Sequence, residues 1–177
     1  NSFGVRCVYT TAIMVWSFLG QVLRDGKEAS CQAAVARVVS YYQLAGGTPP
    51  TSDTGDYCRA RAKLSAAALR ELSGDVAGEL EDAAEERWLF KDLHAKLIDG
   101  FTFTMPDTPK NQAQYPQPKT QKPGVGLPIA RAVAIVSLAT ACVMDLAIGP
   151  YKGKETGEPA LLRSMLRSLS AGDIAVM

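Results

Sequence analysis

The chain has 177 residues, of which 47% are hydrophobic and 21% are charged, a composition typical of globular proteins. Its 19 Lys and Arg residues nearly balance 18 Asp and Glu residues, so the formal net charge is +1. This balance argues against a strongly basic protein that coats nucleic acid. The length suits one ordinary domain, or a small domain plus part of another, and we favour the second.

The cysteines and apolar runs indicate neither secretion nor membrane insertion. Cysteines 7, 31, 58 and 142 form no C-x-x-C pair, which is typical neither of a zinc site nor of a dense disulfide framework. The longest apolar runs, 7–20 and 132–144, are shorter than the roughly 18 to 20 residues that cross a bilayer. We expect no membrane partner and a cytoplasmic location. Because the chain begins at Asn1 and ends inside an apolar run, we interpret it as a fragment of a longer protein.

Residues 5–90 have the periodicity of amphipathic helices. We predict two helices in the first part, interrupted at Asp25-Gly26 and ended at Gly46-Gly47. A short helix capped by Ser52 or Thr54 follows, and then a longer one from about Ser65. The acidic run 79–86 is predicted to be the solvated side of that last helix.

From about His94 the apolar residues recur at every second position, which indicates a strand over 96–105. Residues 106–123 hold five of the ten prolines and predict a long polar loop. Two strands at 129–136 and 141–148, a helix from Glu158-Pro159 and a last strand from Asp173 complete the pattern. The predicted fold class is α/β (α+β overall), with a helical region at 1–90 and a mixed sheet at 91–177.

Two residue types invite a catalytic interpretation. His94 is the only histidine, and a lone histidine where a helix gives way to a strand is more often structural. Asp99 lies in an otherwise apolar strand face, where an unpaired charge would be costly. Its Asp-Gly sequence is also a leading signal for a two-residue hairpin, so the pattern leaves open either a turn or a strand carboxylate that holds a divalent metal.

Several ordered segments resemble the bacterial insertion-sequence-four family of DDE transposases. Around Asp99 they are 97–100, 106–109, 111–112, 115–118 and 121–124, and downstream they are 138–140, 145–151 and 152–158. Upstream, 53–62 is similar to the family's N-terminal helical region. The resemblance covers most of the chain and consists of an ordered series of segments.

This resemblance implies a ribonuclease H-like catalytic domain in which Asp99 is the first carboxylate of a DDE triad. Such sites hold two divalent ions, Mg²⁺ or Mn²⁺, and perform strand cleavage and strand transfer in DNA transposition. Phe101 departs from the Thr that relatives commonly carry. The second Asp is expected a few residues beyond Met177, so the fragment alone should be inactive. We interpret Asp107 as a loop-turn residue and Asp145 as a strand-end residue rather than as substitute ligands.

Two groups of basic residues are candidates for contacts with double-stranded DNA, at transposon ends or at the target. One group is helical and the other surrounds the Pro/Gln loop, and we expect the helical group to carry the binding. The candidates are Arg59, Arg61, Lys63, Lys110, Lys119, Lys122 and Arg131.

The leading hypothesis is thus the N-terminal part of a bacterial cut-and-paste transposase that works as a homodimer on DNA. The rival from another class is a non-catalytic DNA-binding or interaction module, the relic of a broken element. A ribonuclease H-like nuclease that acts on RNA would share the metal chemistry and differ in its substrate.

Overall fold

The computed structural model describes residues 8–122 and 124–177, so Cys7 and Pro123 lie outside the described residues. The chain forms two compact units, with the division between Ala68 and Leu69. We call the first the helical unit and the second the sheet unit. Within the described ranges, no helix is both long enough and apolar enough to cross a membrane.

The helical unit contains α1 (Thr11–Val22), α2 (Cys31–Leu44) and α3 (Thr54–Arg61), with a 3-10 turn at Gly26–Ala29. The predicted interruptions at Asp25-Gly26 and Gly46-Gly47 are confirmed, since both glycines 26 and 46 take positive φ angles. The cap of α3 is Asp53 instead of Ser52 or Thr54, because its carboxylate accepts a hydrogen bond from Gly55 N at 3.1 Å.

An aromatic and aliphatic core holds these three helices together. Met14, Val35 and Tyr57 are fully buried, and the rings of Tyr9 and Tyr57 meet edge to face at 5.8 Å. Burying side chains of this size contributes about 1.5–3 kcal/mol each. The helical unit therefore has a core of its own.

The sheet unit combines four strands with short helices. Its elements are α4 (Ala66–Asp82, which begins just before the division), β1 (His94–Thr104), α5 (Pro109–Gln114), β2 (Ile129–Ser137), β3 (Val143–Pro150), α6 (Glu158–Arg163) and β4 (Asp173–Val176). Further 3-10 turns lie at Glu86–Trp88 and Leu166–Ser168. The predicted mixture of helices and a mixed sheet is confirmed.

The sheet has the strand order β3-β2-β1-β4. β1 and β2 are antiparallel, as are β2 and β3, whereas β4 runs parallel to β1. A parallel neighbour requires a crossover connection, and α6 lies in the segment that makes it. β1 is therefore a central strand with a partner on each side.

One face of the sheet is buried and carries the even-numbered residues of β1. Ile98 packs there with Val133, Ile135 and Met165, while Leu161 of α6 packs against this cluster. On the other face Leu97 and Phe101 are 37% and 50% exposed. The expectation that Asp99 occupies an apolar core face is wrong, because the helices cover the opposite face of β1.

The hairpin alternative for Asp99-Gly100 is also wrong. Both residues lie inside β1, and their pairing with Ala134 and Val133 of β2 continues without a turn. An added Cβ at position 100 would meet the side chain of Glu158, which is half-exposed. The glycine thus leaves room for a side chain of α6.

The acidic side of α4 is not simply solvated. Glu81 is buried at 8% exposure, and Lys96 of β1 reaches it within 2.6 Å. By contrast, the apolar residues of α4 at 72, 76 and 80 are nearly half exposed. Because α4 is bound to the sheet by its charged side, it belongs to the sheet unit, which places the division earlier than the expected residue 90.

Candidate functional site

Asp99 lies in the middle of central strand β1, on the exposed face of the sheet. Leu97 and Phe101 flank it along the strand, and Ala134 is its partner on β2. One carboxylate oxygen accepts a hydrogen bond from Gly100 N at 2.8 Å, which leaves the other oxygen facing outward without a protein donor among the described residues. The position is open to a ligand.

The described part of the chain supplies one carboxylate at this position. Across residues 8–122 and 124–177, no group of three or more His, Cys, Asp or Glu side chains could hold a metal ion. A divalent ion such as Mg²⁺ takes about six oxygen ligands. Asp99 supplies one carboxylate of the oxygen type that such ions bind, and the described residues do not form a complete metal centre.

The register of β4 shows which position would stand beside Asp99. His94 pairs with Asp173 and Leu97 with Val176, an offset of 79 residues along both pairs. The same offset carries the level of Asp99 to a position beyond Met177. The described strand β4 ends at Val176, opposite Leu97 and two residues short of the level of Asp99.

Asp145 is buried within β3, so its interpretation as a strand-end residue is wrong. Its carboxylate accepts hydrogen bonds from Arg70 Nε and Ser168 Oγ, both at 2.7 Å, and from Leu146 N at 2.8 Å. Burial would raise the pKa of Asp145, but the bonds from Arg70 and Ser168 outweigh it and lower the pKa. The carboxylate attaches α4 and the segment after α6 to the sheet. Asp107, in contrast, lies in the loop as expected and accepts from Gln112 Nε2.

A buried charge cluster surrounds the start of β1. The ammonium of Lys96, which is 2% exposed, lies 2.6 Å from Glu81 and 3.7 Å from Asp173. His94 Nδ1 approaches the same Glu81 oxygen at 2.6 Å. Burial would raise the pKa of Glu81, yet hydrogen bonds from Lys96, Ser137 and His94 lower it to about 2. The cluster joins α4 to the sheet, which gives His94 the structural environment expected of it.

The arginines of α3 are engaged within the helical unit. Arg59 forms an ion pair with Asp56 at 2.6 Å on the exposed side of the helix. Arg61 donates to Gln21 Oε1 at 3.2 Å and lies over the ring of Tyr57. Lys63 follows the helix and is exposed. All three helical candidates therefore already have interaction partners.

The lysines of the Pro/Gln loop have a different environment. Lys110, Lys119 and Lys122 are exposed, and none has an acidic partner within 4 Å among the described residues. Arg131 is separate from them: it belongs to β2, lies over the Tyr151 ring at 5.3 Å and is 3.9 Å from Glu158. The loop thus presents three cations that are available to a ligand.

A side-chain amide network gives this loop a defined conformation. Gln112 bonds to the backbone at Gly126 and Gln117, while Gln117 donates to the carbonyls of Gln121 and Lys122 at 3.1 and 2.8 Å. These residues border a shallow cleft together with Asp107 and Lys119. Sequence reasoning missed the network and the short helix α5, although Thr108-Pro109 carries the signal of an N-cap followed by proline.

Comparison with known proteins gives a family context for this arrangement. Over 122 residues, or 67% of the chain, the sequence is 30% identical to the protein named "Putative transposase InsZ" of Escherichia coli (strain K12). The similarity supports a transposase-type family. The chain spans 39% of the length of that relative. No family model matches the chain. Nor does a solved structure match it.

Proposed function

We propose that the chain is the N-terminal part of a DDE transposase of the insertion-sequence-four family. The parent protein would cleave DNA strands at transposon ends and transfer them to a target, with Mg²⁺ or Mn²⁺ at the site. The observation that carries this proposal is the position of Asp99, an exposed carboxylate at the centre of the central strand. The similarity to a transposase supports the same assignment.

The topology supports a ribonuclease H-like catalytic domain. Three antiparallel strands are followed by a helix and by a fourth strand that lies parallel to the first. In our proposal this is the opening half of that fold, and the second carboxylate stands on the continuation of β4 beside Asp99. Two neighbouring carboxylates would hold a divalent ion there, and the ion would supply the charge stabilisation used in metal-dependent phosphoryl transfer.

The DNA contacts in this proposal come chiefly from the loop of the sheet unit. Lys110, Lys119 and Lys122 are exposed without acidic partners among the described residues, which is the state that phosphate contacts need. Arg59 and Arg61 are supported less well, because contact with phosphate would compete with their present partners. Two DNA ends require two protomers, so the parent is proposed to act as a homodimer on DNA.

A non-catalytic DNA-binding module is the second candidate. The observation in its favour is that no group of three or more His, Cys, Asp or Glu side chains among the described residues could hold a metal ion. The encoding DNA downstream of Met177 separates the two candidates. An Asp codon within a few positions, followed later by a Glu codon in frame, supports the enzyme, while an immediate stop codon supports the module.

A cleavage assay on the chain as it stands gives a second test. With one of three carboxylates present, we expect no nicking of supercoiled plasmid in Mg²⁺ or Mn²⁺. Nicking that disappears in Asp99→Ala would show that the other ligands lie within residues 1–177 and would contradict the proposed position of the second carboxylate. An RNA substrate run in parallel distinguishes a nuclease that acts on RNA.

A further inference from the structure

The helical unit contains a thiol held by two nitrogen donors. Cys31 is the first residue of α2, and its sulfur accepts hydrogen bonds from Gln21 Nε2 and Arg61 Nη1, each at 3.6 Å. The positive end of the helix dipole and the guanidinium both favour a negative sulfur at this position. A neutral thiol is only a weak hydrogen-bond acceptor. Two nitrogen donors directed at one sulfur are therefore more than a neutral thiol needs.

The orientation of Gln21 is fixed by a second layer of contacts. Its carbonyl oxygen accepts from the Tyr57 hydroxyl at 2.6 Å and from Arg61 at 3.2 Å. Its amide nitrogen therefore points the other way, toward Ala29 O at 2.8 Å and the Cys31 sulfur. The amide cannot flip without losing these bonds, so it presents a donor to Cys31 permanently.

A second thiol lies directly beside the first. Cys58 of α3 packs against the same core as Cys31, and both thiols are half-buried and free. Burial would raise the pKa of Cys31, but the bonds from Gln21 and Cys58 and the charge of Arg61 lower it. Burial and the neighbouring Cys31 raise the pKa of Cys58. The pair thus combines a thiol of lowered pKa with a neighbouring thiol of raised pKa.

We propose that Cys31 and Cys58 form a redox-reactive pair in which a hydroperoxide oxidises Cys31 and Cys58 resolves the product. The Cys31 thiolate attacks the peroxide O–O bond and becomes a sulfenic acid, and the leaving oxygen takes up a proton as an alcohol or water. The Cys58 sulfur then attacks the sulfenic sulfur, loses its proton and displaces water. The net reaction converts two thiols and one hydroperoxide into a disulfide, an alcohol and water.

The resulting disulfide would tie the start of α2 to α3 and change the sulfur that is one of the two acceptors of Arg61. This inference concerns the helical unit alone and does not depend on the function proposed above. It assigns a modification site to two cysteines that metal-dependent catalysis would not use.

Labelling of the unmodified chain tests the reactivity of Cys31. Under limiting iodoacetamide, we expect Cys31 to alkylate several-fold faster than Cys142, a half-buried free thiol of the sheet unit that serves as the internal control. Arg61→Gln should reduce the Cys31 rate and leave the Cys142 rate unchanged. Equal rates at Cys31 and Cys142 in the unmodified chain would overturn the proposal.

Peroxide treatment in a Cys7→Ser background tests the pairing. Trypsin cuts after Arg37 and places the two cysteines on separate peptides, 28–37 and 38–59. We expect these peptides to be linked, with the loss of two hydrogen atoms. In Cys58→Ser the sulfenic acid at Cys31 should persist and be trapped by dimedone. The absence of the linked pair, with Cys58 still free after Cys31 is oxidised, would contradict the resolving role.

Discussion

The two basic segments of the molecule differ in what their charges already contact. In α3, Arg59 pairs with Asp56, and Arg61 is held between Gln21 and Tyr57. In the Pro/Gln loop, Lys119 and its two neighbouring candidates face solvent without acidic partners among the described residues. The segments look equivalent in sequence, yet only the second offers charges that a phosphate can neutralise without competition. Charge density alone therefore does not locate a binding surface.

Lys96 is a buried cation whose charge is already paired, unlike the exposed lysines of the Pro/Gln loop. Its replacement should have the largest effect on stability. Lys96→Ala leaves Glu81 buried without its main partner, which costs about 3–5 kcal/mol when one member of a buried pair is removed. Urea unfolding should show this loss in the sheet unit. In a Trp16→Phe background, the fluorescence of Trp88 reports on that unit, since these are the two tryptophans of the chain.

Lys119→Ala is the matched control, because its side chain is exposed and outside the ion pairs of the described residues. Its free energy of unfolding should stay within about 0.5 kcal/mol of the wild-type value. Equal midpoints for the two variants would show that the Glu81 and Lys96 pair does not hold α4 on the sheet.

Low pH should weaken the attachment of α4 to the sheet. The pKa of Glu81 is lowered from 4.5 to about 2 in the folded protein, so its contribution to stability is complete above about pH 4.5. That contribution should be lost as the pH falls from about 4.5 to about 2. Glu81→Gln removes the titration, so the free energy of unfolding should fall less steeply over this range than in the wild type. If the free energy of unfolding falls equally steeply with pH in the wild type and in Glu81→Gln, the lowered pKa of Glu81 is contradicted.

The order of the elements was predictable because it depends on local pattern. The glycine interruptions, the strand of period two and the helix at Glu158-Pro159 all carry short-range signals. The burial of Lys96 was not predictable, since a lysine in an alternating strand indicates the solvent side until its partner is known. Glu81 lies fifteen positions earlier in an acidic run, and nothing local distinguishes it from its neighbours.

The sequence also could not predict which face of β1 would be buried. Both faces carry apolar residues, and the helices that cover one of them come from distant parts of the chain. Asp99 itself could be singled out, since a carboxylate between Leu97 and Phe101 is unusual on either face. The parallel pairing of β1 with β4 could not be predicted locally, because the two strands lie far apart in the sequence.

Salt dependence of DNA binding sharpens the comparison between the two basic segments. If the loop carries the phosphate contacts, Lys119→Ala/Lys122→Ala should lower the slope of log affinity against log salt by roughly 0.9 per lost contact. Arg59→Ala/Lys63→Ala is the matched pair in the helical segment and leaves the buried interactions of Arg61 intact. Fluorescence anisotropy with duplex DNA measures both slopes. A reduced slope in the helical pair and an unchanged one in the loop pair would move the contact surface to α3.

DNA cleavage by the parent protein with Asp99→Asn is the most direct measurement of the proposed role of this residue. The substitution keeps the size of the side chain and removes the charge that binds a divalent ion. Cleavage in Mg²⁺ or Mn²⁺ should fall by about a hundredfold or more, while DNA affinity stays at the wild-type value. Asp107→Asn, in the exposed loop, should retain cleavage. An Asp99→Asn protein that cleaves at the wild-type rate would show that this carboxylate is not a metal ligand and would contradict the proposed catalytic role of Asp99.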